Sequence, residues 1–150
     1  MTSWTDFAAA APDLADRTAA LFRAQKHHTV ATIRRDGSPR ISGTEVSFED
    51  GELCLGIMAG ARRAEDLRRD PRQAIHSHSL DPPEDDPSGW PGEAKVSGRA
   101  VEIEPGGEDG SHLFRVDIGQ VVLTRVGTPA DHLVIEWWSP EGGLTRVERR

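Results

Sequence analysis

The spacing of apolar residues changes twice in the first third of the chain. Between Pro12 and about Gln25 it is helical, with Leu14, Thr18, Leu21 and Phe22 on one face. Pro12 suits the first helical position, and Asp13 and Asp16 sit in the opening turn. "HHTVATIRR" from His27 then reads as a strand, and "RDGS" as a hairpin turn in which Asp36-Gly37 takes the positive φ angles of a tight turn. "PRISGTEVSF" is a second strand, "EDGE" a second Asp-Gly turn and "LCLGIM" a third strand, apolar enough for burial on both faces. The helical period returns briefly from Arg62 to Arg69, where Ala64 and Leu67 face one way, and Asp70-Pro71 ends it.

Beyond that helix "RQAIHSHS" reads as strand four, and "EAKVSGRAVEIE", "HLFRVDI", "QVVLTRV" and "HLVIEWW" as later strands. Residues 80–92, "LDPPEDDPSGWPG", hold four prolines in thirteen positions, which rules out regular structure and marks a lid, a binding loop or an excursion. The expected fold is mainly β with accessory helices: a small barrel of about six to eight antiparallel strands, an N-terminal helix and a short crossover helix. With 150 residues the chain fits one domain and one core.

Net charge is −7, which argues against a nucleic-acid partner, since most of that binding energy comes from neutralising phosphates on a basic surface. The arginines nevertheless cluster, leaving a small anionic ligand open. Cys54 is the single cysteine, expected as a small buried core residue and consistent with a reducing cytoplasm. "MTSWTDFAAAAPDL" lacks the basic start of a signal peptide, and no apolar run approaches the roughly 20 residues of a membrane helix. A cytoplasmic protein without membrane contact is the expectation.

Chemistry concentrates in "GIMAGARRAEDLRRDPR", residues 56–72. The first turn of a helix has unpaired N–H groups and partial positive charge, so Arg62 and Arg63 oppose the helix dipole there. An anion such as a phosphate, accepting from those N–H groups and from the guanidinium forks, resolves the conflict. The other reading is a solvated pair facing Glu65 or Asp66. Arg68 and Arg69 lie at the end the dipole favours and read as structural. His27-His28 and His76-Ser77-His78 invite a metal, but no cysteine or closely spaced carboxylate completes a ligand set, so none is expected. In the last strand Leu133, Ile135 and Trp137 share one face while Val134, Glu136 and Trp138 share the other, and Trp137 is assigned to the core.

The ordered run "ATIRRDGSPRISG", "DGELCLGIMAGARRAEDLRRDPRQAIHSHS" and "AKVSGRAVEIE", over roughly residues 28–104, resembles the pyridoxamine 5′-phosphate oxidase-like family of flavin-binding split barrels. The resemblance implies a homodimer with FMN at the subunit interface and its phosphate gripped by Arg62 and Arg63. It further places Gly56, Ile57 and Met58 along the ring and ribityl chain, Ser42 and Gly43 on the second strand, and Glu93 where the oxidases have a ring-contacting glutamine. It implies hydride transfer between flavin and a small organic substrate, the protein supplying position and electrostatics. A deazaflavin coenzyme is the alternative cofactor, and a non-catalytic flavin carrier or sensor the alternative role. Trp90, Trp137, Trp138 and His78 are candidates to line the substrate pocket. Full oxidases carry basic residues where this chain has Ser42 and Ser47, and a C-terminal Arg-and-His segment where it ends "WWSPEGGLTRVERR". True pyridoxamine phosphate oxidation is therefore not the expected reaction.

Overall fold

A computed structural model describes residues 1–103 and 107–150. The chain begins with two helices, α1 (Trp4–Ala10) and α2 (Pro12–Ala24), followed by three strands in a meander, β1 (His27–Ile33), β2 (Pro39–Glu49) and β3 (Glu52–Ile57). Helix α3 (Arg62–Arg69) crosses to β4 (Arg72–His76), and β5 (Glu93–Glu102), β6 (His112–Val126), β7 (Leu133–Ser139) and β8 (Gly143–Arg149) complete the chain. The sheet runs β3-β2-β1-β4-β5-β6-β7-β8, and a further β3–β6 pairing closes its first six strands into a barrel. Every pairing is antiparallel. The expected mainly β layout with accessory helices is what the chain adopts.

Closure depends on β6, which the sequence divides into two strands at Gly119. It is one strand of 15 residues. Cys54–Ile57 of β3 pair with His112–Arg115 of β6, while β7 pairs with Val121–Val126 of the same strand. Between them the register against β5 jumps from Ser97↔Gln120 to Gly98↔Ile118, so Gly119 is the extra residue of a β-bulge rather than a turn. A side chain on Gly98 would meet the Asp117 carbonyl oxygen, so that close crossing requires glycine.

The core is lined by alternate residues of the barrel strands, among them Val30, Leu53, Leu55, Ile75, Val96, Phe114 and Val116. Helix α1, which the apolar spacing does not announce, is signalled by Ser3 and Asp6, which form a reciprocal capping box; it buries Trp4 and Phe7 against Phe48 and Trp138. Trp138, not Trp137, belongs to the core: Trp138 is 6% exposed, whereas Trp137 is half-buried on the outward row with Val122 and Thr145. Strand β8 is likewise silent in the sequence pattern, because six of its seven residues are exposed and leave no alternating apolar signal. Cys54 is fully buried; burial, then Glu49 and Glu52, push its thiol up to about 11, which leaves it an inert core residue. Among the described residues no helix is long and apolar enough to cross a membrane.

Candidate functional site

The register of four strands builds the site's floor. His27 of β1 lies opposite Glu45 of β2, Glu45 opposite Gly56 of β3, and Gly56 opposite Leu113 of β6, making one transverse row. His28, Val30 and Thr32 point into the barrel and are buried, so this row belongs to the outer face. Over it runs an open groove of about 870 Å³, bounded by Gly43, Thr44, Ile57, Met58, Ala59, Arg63 and, beyond β3, Gly107, Asp109, Ser111 and His112. The two glycines make the floor bare. A Cβ on Gly43 would meet nothing within 4 Å, and one on Gly56 only the Glu45 Cβ at 3.9 Å. Any other residue at either position would fill the groove.

One end of the groove is the turn from β3 into α3. Gly60, at φ 76°, supplies the left-handed step that aims the helix across the barrel. Ala61 at the N-cap offers no side-chain acceptor, so the first turn is uncapped. Into this corner Arg63 brings a guanidinium whose buried Nε has no hydrogen-bond partner among the described residues. Burial holds its pKa below the ordinary arginine value. Such a group carries a desolvation cost that an acceptor on a bound ligand would relieve.

The rest of α3 is pinned by Asp66, which is 3% exposed. Its carboxylate accepts from Thr32 Oγ1 at 2.8 Å, Arg40 Nε at 2.7 Å and Arg69 Nη2 at 3.0 Å. Burial alone would raise the Asp66 pKa; the bonds from Arg40, Thr32 and Arg69 outweigh it and hold the carboxyl below its usual range. Arg68 makes a two-pronged contact with Glu102, both bonds 2.7 Å. Arg68 and Arg69 are therefore structural, as their place at the helix end implied. Asp66 is committed to Arg40 and Arg69 and does not serve as the solvated partner of Arg62 or Arg63.

The structure thus brings Gly43, Gly56, Ile57, Met58 and Arg63 together along one groove. Ser42 precedes Gly43 on β2 but is not in the lining, and Arg62 is exposed outside it. Glu93 lies elsewhere, with its carboxylate 3.4 Å from His76 Nε2. Trp90, Trp137, Trp138 and His78 do not line the groove either. Trp90 donates its indole N–H to the Leu80 carbonyl, closing the proline-rich loop on itself. His78 lines a smaller pocket of about 260 Å³ with α2, Leu80 and Pro91. His28 is a core residue: its Nε2–H donates to the Phe22 and Gln25 carbonyls while Nδ1 accepts from the His78 N–H. Among the described residues no group of three His, Cys, Asp or Glu is arranged to hold a metal. Groove residues that no sequence motif indicates are His27, Thr44, Glu45, Ala59, Asp109, Ser111 and His112.

No protein-family model matches the chain, and no curated protein matches it in sequence. Solved structures do. A pyridoxamine 5′-phosphate oxidase-related, FMN-binding protein from Nostoc punctiforme superposes with TM-score 0.63 at 10% identity, covering 100% of this chain and 98% of that one. The fold is the split barrel. PhzG from Burkholderia lata, in complex with tetrahydrophenazine-1-carboxylic acid, gives TM-score 0.62 at 11% identity over 93% of this split barrel and 89% of its own chain. HutZ from Vibrio cholerae, a heme storage protein, gives 0.55 at 16% identity over 76% and 94%. The shared barrel therefore serves more than one ligand, and the ligand of this chain must be argued from its own groove.

Proposed function

We propose that the groove holds flavin mononucleotide, and that the chain is an FMN-dependent oxidoreductase exchanging hydride with a small organic substrate. The observation that carries this reading is the buried Nε of Arg63, without a hydrogen-bond partner among the described residues, at an uncapped helix start. A phosphate accepts from that guanidinium and from the free N–H groups together. The glycine floor supports the same ligand, since Gly43 and Gly56 leave flat backbone against which a planar ring lies without collision. Ile57 and Met58 would flank the ring and its chain. When bound, flavin supplies the hydride chemistry at its N5; the chain contributes binding, orientation and field. FMN-binding likeness in a structural neighbour points the same way.

A second copy of the chain is proposed to cover the groove. Ile41 and Met58 are 75% and 76% exposed on or beside the same outer face, apolar surface that a second copy would bury. Light scattering on the purified protein is expected to give twice the chain mass.

An absorption spectrum of the purified protein, then mass identification of whatever heat releases, tests the main reading. Flavin bands and released FMN are expected, as is uptake of added FMN by colourless protein. Bleaching of the loaded protein by NAD(P)H separates an oxidoreductase from a carrier. A Soret band with no flavin uptake would replace flavin by heme and overturn the reading.

A further inference from the structure

We propose that His112 is a second anion-binding residue of the groove, donating from Nε2 to the same phosphate that Arg63 holds, with Glu102 and Arg68 fixing its ring. The inference rests on the flavin-phosphate reading above and adds a residue that neither the motif nor the resemblance indicated. His112 opens β6 directly opposite Ile57, the last residue of β3 before the turn into α3. His112 lines the groove together with Arg63.

One edge of that ring is committed. Nδ1 lies 2.9 Å from Glu102 Oε1 and 3.1 Å from Arg68 Nη2, and Arg68 itself grips both oxygens of Glu102. Nε2, on the other edge, has no partner among the described residues. A neutral ring protonated at Nδ1 donates to Glu102 and leaves Nε2 bare, whereas one protonated at Nε2 accepts at Nδ1 from Arg68. The cation donates Nδ1–H to Glu102 and keeps Nε2–H as well. Nε2 presents a donor in the last two arrangements, and an anion beside it selects them, the cation above all.

The surrounding charges make the protonation of His112 decisive for the local field. Glu102 is ionised, its pKa drawn down to about 2 chiefly by the hydrogen bond from Arg68. Asp109, in the groove's far loop, is held below the usual carboxylate range by Ser111. Arg63 and Arg68 offset these two negative charges. At the floor His27 Nε2 lies 3.5 Å from Glu45. A proton on His112 therefore adds net positive charge where the phosphate would lie.

Titration with FMN and with riboflavin, which lacks the phosphate, followed by flavin fluorescence at pH 6 and pH 8, tests this. His112→Asn keeps a group near the Nδ1 position and loses the reach of Nε2; His112→Gln restores an N–H near Nε2 without charge. His112→Asn is expected to weaken FMN about tenfold at pH 6 and leave riboflavin unchanged, the size of one charged hydrogen bond. His112→Gln is expected to recover part of that loss and to lack the excess affinity at pH 6 over pH 8 that the proposal predicts for the natural protein. Natural affinity for FMN in His112→Asn, with Arg63→Ala weakened, would overturn the role of His112 and leave the phosphate seat standing. Natural affinity in Arg63→Ala as well overturns the seat itself. Should His112→Asn not fold, His112→Gln decides alone: an unaltered pH dependence refutes the proposal.

Discussion

At its C-terminal end, α3 gives both arginines a partner: Arg68 closes on Glu102, and Arg69 on Asp66 and the Ile33 carbonyl. At the N-terminal end, one turn and a half away, Arg62 is exposed and Arg63 carries a buried Nε that nothing in the described chain accepts from. The helix dipole favours cations at the first of these ends and disfavours them at the second. Paired charges therefore sit where the helix itself welcomes them, and the unpaired charge sits where it is least comfortable. Stability alone does not account for that inversion; the proposed bound anion would.

The contrast breaks most visibly on the paired side. Asp66→Asn removes a buried carboxylate from three donors and leaves Arg40 and Arg69 with a neutral partner. A loss of about 2–4 kcal/mol in unfolding free energy is expected, measured by denaturant melts. Flavin affinity should fall with it, because Asp66 holds the helix that carries Arg63.

Arg63→Ala is the matching change on the unpaired side, and its signature should be opposite. FMN affinity is expected to drop by roughly 1.5–3 kcal/mol, the range for a hydrogen bond to a charged group, with riboflavin affected little. Thermal stability of the ligand-free protein should hold or rise slightly, since the variant removes a desolvated group without a partner. A fall in stability comparable to that of Asp66→Asn would make Arg63 a structural residue like Arg69.

Acid sharpens the same distinction. The carboxyls of Glu102 and Asp66 titrate lower in the folded chain than in the unfolded one, Glu102 near 2. A depressed folded pKa contributes stability above the unfolded value of about 4, and that contribution is lost as pH falls toward the folded pKa. Melting temperature should therefore decline between about pH 4.5 and pH 2. Glu102→Gln should flatten part of that decline, and Arg63→Ala should leave its shape alone.

Much of this architecture is legible in the sequence because the signals are local. Helix α3 is bounded by Arg62 and Arg69 through its spacing and Asp70-Pro71, and the first hairpin by Asp36-Gly37. That hairpin's register also places Glu45 opposite His27, so two floor residues follow from the position of the turn alone. His112 is not legible in this way, since it reaches the groove through the β3–β6 pairing that closes the barrel across more than fifty residues. Arg40 escapes for the same reason: its bond to Asp66 spans two elements that no local pattern relates. Gly119 misleads because a glycine in an apolar run looks alike in a turn and in a bulge. Residue type alone assigns the wrong tryptophan to the core, whereas the parity of β7 relative to β6 decides which of them faces it.

Arg62 marks the boundary of the effect and gives its smallest test. It is adjacent to Arg63 in sequence, and the resemblance assigns both to the phosphate, but a helix turns about 100° per residue and sends neighbours in different directions. The structure leaves Arg62 exposed and outside the groove lining. Its help to an anion is then a through-solvent attraction of at most about 0.5 kcal/mol, screened at physiological salt. Arg62→Ala should weaken FMN less than about threefold in dilute buffer and not measurably at about 0.5 M salt, while Arg63→Ala keeps most of its deficit there. Equal, salt-resistant losses in the two variants would mean that Arg62 turns inward when the ligand or a second copy of the chain is present, and that the phosphate is gripped by a pair.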